Sequence, residues 1–320
     1  MPTSSTRYIP SCDVFWVGSY PFKNPVSVCR KIIKNQHLLL HWPQLPKCSP
    51  RERLIAQTRA ALKTKDRHFP KGYASGWNAL WRLLKKSKNT HFQHFKTQMA
   101  GPITLFGKLN IKLSKKNSQR KLLRFVSLWL EHAFWQIHQI QQKDFTPILM
   151  LDEPHLPSYM GQTGSQQSRK TLRLLRSIIL RLQKKGALVG VHCCNRISPA
   201  NLISLNPDMI HFNVYHFPSQ LKNSKQSIQA YLKNGGIIAW GVIPTLETLD
   251  STNKIKIEKL LMESLEYIEG QGMSLRHILN QSMVAPTCGT GLLTVEESNS
   301  ILDFATQLSV QLKSRYKLED

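Results

Sequence analysis

Two short apolar runs in this chain end in residues that could share one metal ion: the first closes on His192-Cys193-Cys194, the second on Pro286-Thr287-Cys288. On an extended strand end, residues two apart project to the same side, so His192 and Cys194 point together while Cys193 faces away. An imidazole with two thiolates is a zinc-binding set, and three protein ligands leave one position open to substrate. Each cysteine would give up its proton on binding the ion. A third run ends in Asp152-Glu153. Adjacent carboxylates point to opposite sides of a strand; Asp152 is read as facing a pocket, where it could hold a substrate ammonium, and Glu153 as its support. His155, His211 and His216 lie near the same rim and read as ordinary polar loop residues, His216 being the one to watch. Most tryptophans read as core, although Trp42 and Trp77 could wall a ligand pocket.

For these residues to meet, the runs that carry them must end on one face. Apolar runs suited to strands fall at 14–17, 37–41, 97–100, 148–151, 188–192, 209–213, 237–242 and 283–285. Amphipathic stretches at 51–62, 119–142, 168–185, 226–234, 254–269 and 296–313 suit helices. Eight β units alternating with helices in about 300 residues predict an α/β fold, a closed (β/α)8 TIM barrel forming a single domain over 1–320, with a doubly wound open sheet as runner-up. Each run ends in polar or turn-forming residues, and in a barrel the face that collects the strand ends is catalytic. The fifth and eighth runs would stand across the barrel mouth, which lets Cys288 reach the centre of His192 and Cys194. Residues 43–94 form an insertion between the second and third runs; its middle, 67–74, lacks periodicity, so a lid or small subdomain could sit there. Gly161-Gln162-Thr163-Gly164-Ser165-Gln166-Gln167-Ser168 reads as the most flexible loop.

The composition, 41% hydrophobic and 20% charged, is that of a globular protein rather than a disordered one. The N-terminus lacks a basic patch followed by an apolar core, and no apolar run approaches the roughly 18 residues that span a bilayer. Six cysteines without a secretory signal predict reduced thiols in a cytoplasmic protein with no membrane partner. The net charge of +25 raises nucleic-acid binding. However, Lys85-Lys86-Ser87-Lys88, Lys115-Lys116 and Lys184-Lys185 fall on expected helices and linkers without a nucleic-acid signature, and read as solvated faces.

The motifs Gly18-Ser19-Tyr20-Pro21, Trp42-Pro43-Gln44-Leu45-Pro46, Ala100-Gly101-Pro102-Ile103-Thr104, Asp152-Glu153-Pro154, His192-Cys193-Cys194 and Pro286-Thr287-Cys288-Gly289 run in order along nearly the whole chain. Together they resemble the catalytic barrel of cobalamin-independent methionine synthase and its single-domain relatives in the uroporphyrinogen-decarboxylase-like superfamily. The resemblance implies that His192, Cys194 and Cys288 bind Zn2+, that Asp152 holds the amino group of homocysteine, and that Ser19 contacts the amino-acid portion of the substrate. Ser19, Asp152 and Glu153 are thus assigned to substrate binding. The implied chemistry is methyl transfer to a small thiol that zinc activates. Where the family places a carboxylate as its remaining zinc ligand, this chain has Asn213, which joins Asp152 in the expected catalytic set; His211 or His216 could stand in as ligand. The chain has none of the additional N-terminal barrel that helps full-size members bind folate, so a methyl-corrinoid protein fits better as donor than a methylated, polyglutamylated folate. The alternatives are a decarboxylase-like relative acting on a carboxylated macrocycle, and a degenerate basic barrel that binds nucleic acid or an acidic partner.

Overall fold

A computed structural model describes residues 8–86, 92–108, 118–160, 165–270 and 272–318. Its single sheet has six strands, β1 (His94–Ala100), β2 (Thr146–Asp152), β3 (Leu188–Cys193), β4 (Met209–Asn213), β5 (Ile237–Ile243) and β6 (Ser282–Pro286). They pair in parallel in sequential order and curl into a half-barrel. These are the last six of the eight apolar runs. Helices pack onto the strands, among them the crossovers Ser118–Gln141, Gln166–Gln183 and Ser251–Ile268, and Val295–Tyr316, which follows the last strand. The last starts at a capping box in which Thr294 and Glu297 bond reciprocally.

The closed eight-stranded TIM barrel expected from the sequence is not what forms. Residues 14–17 and 37–41 lie beside the sheet but make only single-residue bridges, Val14 with Leu38 and with Val284, and His41 with Lys96. A ladder needs consecutive paired residues. The first run is cut short by positive φ at Ser11 and Cys12 on one side and at Gly18 (φ +131°) on the other. The second runs into Pro43, which has no N–H to donate.

Strand alternation divides the sheet into two faces. One, with Leu149, Leu151, Val189, Val191, Cys193, Phe212 and Trp240, joins the large core shared with the helices. The other carries Ile148, Met150, Met209, Ala239, Met283 and Ala285, which form a separate cluster with Phe15 and Val17 inside the curl. In the same alternation Lys96, Gln98, Asp152, His192 and His211 belong to this inner face. The side chains that could do chemistry are therefore directed into the half-barrel by strand period alone.

Residues 43–94 hold a 3-10 turn, Pro50–Glu52, and the helices Leu54–Ala61 and Ser75–Lys86. The segment is docked rather than detached: Phe69 packs edge-on against Trp77 and Trp135 and tilted against Trp42. Thr58 Oγ1 accepts the Ala100 N–H at 3.3 Å. Trp42 and Trp77 are buried in this aromatic core and are not among the residues that line the cavity at the strand ends. Of the loop expected at 161–168, residues 161–164 lie outside the described residues, while the rest is ordered as the start of helix Gln166–Gln183, with Ser165 as its N-cap accepting the Ser168 N–H. No helix among the described residues is long and apolar enough to cross a membrane.

Candidate metal centre

One ligand atom from each of His192, Cys194 and Cys288 lies within 4.8 Å of the others. His192 is on β3, Cys194 follows its last residue, and Cys288 sits two residues beyond β6. Cys193, between them in sequence, is turned into the helix-facing core, where burial pushes its thiol up to about 12. The Cys194 thiol donates to Cys288, which draws the Cys288 pKa down to about 4 against the opposing effect of burial and raises that of Cys194. Two sulfurs so placed share one proton, which a divalent ion would displace.

The imidazole is oriented by a relay across the sheet. His211 stands opposite His192 in the β3–β4 register. Its Nε2 lies 3.0 Å from the Pro286 carbonyl, which can only accept, so Nε2 carries the proton. Burial holds the His211 pKa well below the ordinary imidazole value, so the ring is neutral and its Nδ1 accepts. His192 Nδ1, 2.5 Å away, therefore donates. With Nδ1 so engaged, Nε2 is the His192 nitrogen left for a metal ion, the arrangement a zinc-binding imidazole needs. Gly241 makes room for this: a Cβ there would stand 2.5 Å from the Phe212 carbonyl and 3.1 Å from His211 Nε2.

The trio opens on a cavity of ≈ 810 Å³, also lined by Ser19, Asp152, Gln44, Arg53, Arg59 and Gly289. Asp152 is buried, and its Oδ1 has no hydrogen-bond partner among the described residues. An orphaned carboxylate oxygen is costly unless a ligand supplies the donor. Burial lifts the Asp152 pKa to about 6, while His192 and Lys96 pull it down. Lys96 is itself buried on the inner face, donating to Val17 O at 3.0 Å and Gln98 Oε1 at 2.8 Å. Burial lowers it to about 7, against the attraction of Asp152.

Glu153 faces the other way. Its oxygens accept from Ile103 N (2.9 Å), Thr104 N (2.7 Å) and Thr104 Oγ1 (2.7 Å), so it holds the turn after β1 and takes no part in the cavity wall. Ser19 is on the wall, where its Oγ accepts Gly291 N–H at 3.3 Å; a Cβ on Gly289 would come within 2.1 Å of that oxygen. Asn213 is not brought to the trio as a ligand. Its Oδ1 accepts the His216 N–H at 3.0 Å and its Nδ2 donates to Cys194 O at 3.2 Å, so both ends of the amide are engaged. His216 contacts Asn213 and pairs with Glu247 at 3.4 Å, away from the sulfurs. The possible ligand set is thus N, S, S from His192, Cys194 and Cys288, donor types that suit zinc.

Lys96, Arg53 and Arg59 had no part in the sequence-based site, and His211 entered it only as a possible stand-in ligand, a role that its bonds to His192 and Pro286 do not leave it. Polar residues at alternate positions of an otherwise apolar strand, Lys96 and Gln98, were the available signal for the first. His211 was read as a loop residue, yet it is fully buried in β4, and its importance comes from a cross-strand neighbour that only the register supplies. Scanned against protein-family models the chain matches none, and a search of curated proteins finds no match.

Proposed function

We propose that this chain is a zinc-dependent methyltransferase of the methionine-synthase type, which moves a methyl group onto a small thiol such as homocysteine. The observation that supports it is the convergence of His192, Cys194 and Cys288 on a cavity that also exposes the unpartnered Asp152 Oδ1. Held by that trio, zinc would supply a Lewis acid that keeps a thiol ionised at neutral pH. Asp152, whose unpartnered Oδ1 faces the cavity, accepts from the acceptor's ammonium, and Ser19, also on the cavity wall, orients its carboxylate end. Together they align the sulfur with the methyl carbon, so that the sulfur's electron pair forms the new bond while the donor departs with the pair of the old one. Lys96, beneath Asp152, balances its charge. In this reading the protein works in the reducing cytoplasm, where its six free cysteines remain thiols.

The donor need not be known to test this. Homocysteine titrated calorimetrically into zinc-loaded protein, in buffers of different ionisation enthalpy, should release about one proton per thiol bound near neutral pH, because the free thiol is mostly protonated there. Asp152→Asn should weaken homocysteine by about tenfold or more while leaving 3-mercaptopropionate, which has no ammonium, little changed. Binding without proton release, or equal effects on both thiols, would count against the assignment.

A further inference from the structure

The trio, Asp152 and Ser19 occupy only the strand-end wall of the cavity. A helix wall completes it, formed by Leu54, Ile55, Ala56 and Arg59 of Leu54–Ala61 and by its N-cap Arg53. Both arginines are exposed at the cavity, and neither guanidinium has an ion-pair or hydrogen-bond partner among the described residues. Glu52, the acidic neighbour on this wall, does not neutralise them. Its carboxylate is buried and engaged, accepting Ser75 N–H at 2.8 Å and Gln57 Nε2 at 3.4 Å.

The wall is also rigid. Gln57 accepts from Gln44 at 2.9 Å, and Thr58 accepts the β1 amide of Ala100 at 3.3 Å, so this helix is pinned to the sheet. The arginine backbones are thereby fixed relative to the metal trio, and binding an anion would cost little backbone reorganisation. Arg53 also opens the helix without a side-chain cap, which adds a modest positive field to that of the two guanidinium groups. A volume of ≈ 810 Å³ lies at the upper end of the range for small-molecule sites and exceeds what one small amino thiol fills.

We infer that the helix wall is an anion subsite, and that the reactant reaching it ends in an ionised carboxylate or phosphate held by Arg53 and Arg59. The inference rests on the proposed methyltransferase only in calling that ligand a reactant. The subsite itself can be tested without turnover.

The test is calorimetric binding to the full, zinc-loaded chain of three matched pairs: glutarate against glutaramide, phenyl phosphate against benzyl alcohol, and 3-mercaptopropionate against its amide. The acid of each pair should bind about tenfold or more tightly than its neutral partner, as charge-assisted bonds to arginine require. That preference should weaken with added salt. Arg53→Gln and Arg59→Gln, single substitutions at exposed positions, should each reduce it, and the double variant should abolish it with zinc content unchanged. Preference in the thiol-free pairs assigns the anion to a separate reactant. Preference only in the thiol pair assigns it to the far end of the acceptor, and both outcomes support the subsite. Equal binding of acid and neutral partners, no binding at all, or a preference that survives in the double variant overturns it. If the protein takes up no zinc but the arginine-dependent preference persists, the subsite stands and the methyltransferase reading fails.

Discussion

His211 never touches the cavity, yet it decides which nitrogen of His192 faces the sulfurs, because its own Nε2 is committed to Pro286. His211→Phe removes that constraint. Zinc affinity, measured by chelator competition, should fall by about 10- to 100-fold, the usual cost of losing the partner that orients a metal-binding histidine; an unchanged affinity would remove the relay from the account. Glu153 carries a second consequence. Burial raises its pKa from 4.5 to about 7 even though three donors oppose the shift. Between those values the folded chain holds a proton that the unfolded chain has released, so its contribution to stability is full below pH 4.5 and is lost as pH rises through about 7, a loss of about 3 kcal/mol. Glu153→Gln, neutral at every pH, should flatten this part of the stability profile when urea unfolding is compared at about pH 5 and about pH 7.5. At this scale the sequence made His192, Cys194 and Asp152 legible because spacing along one strand assigns them a face. Lys96 and His211 were hidden because their partners lie across strands.

The turns after the strands hold these side chains in place. Gly101, between β1 and Pro102–Lys108, lies against the Glu153 carboxyl, and a Cβ there would stand 2.2 Å from it. That carboxyl is fixed by three hydrogen bonds and cannot swing away. Gly101→Ala should therefore lower stability by about 1–3 kcal/mol in denaturant titrations, as overpacking does. The runs at 148–151, 188–192, 209–213, 237–242 and 283–285 announced β2–β6 because buried parallel strands are apolar on both faces. The runs at 14–17 and 37–41 have the same composition but lack the length of regular backbone a ladder needs: φ at Ser11, Cys12 and Gly18 bounds the first, and Pro43 follows the second. Helix Ser75–Lys86 was not anticipated, although its buried Trp77, Ala79, Leu80 and Leu84 follow helical spacing. Its place inside a long aperiodic insertion obscured the pattern.

The molecule as a whole is a curled sheet whose two edge strands meet the N-terminal segments through isolated bridges. Val14 and Leu39 donate to His37 O and Val14 O, contacts without laddered neighbours on either side. Their amides should exchange with solvent sooner than those in the middle of β2–β4, because local opening there breaks fewer bonds; equal protection would mean the segments open only with the sheet. The count of eight β units was misleading because apolar runs mark burial, and burial in the curl does not require pairing. The same long-range folding brings residues 192, 194 and 288 together, so metal binding should be coupled to the native state. The direct test is the zinc content of the full chain purified without chelator, compared with Cys288→Ala and Cys193→Ala. The account expects about one zinc per chain in the native protein and in Cys193→Ala, and its loss in Cys288→Ala. A native protein free of zinc with all six thiols titratable, or a Cys288→Ala variant that retains the ion, would contradict it.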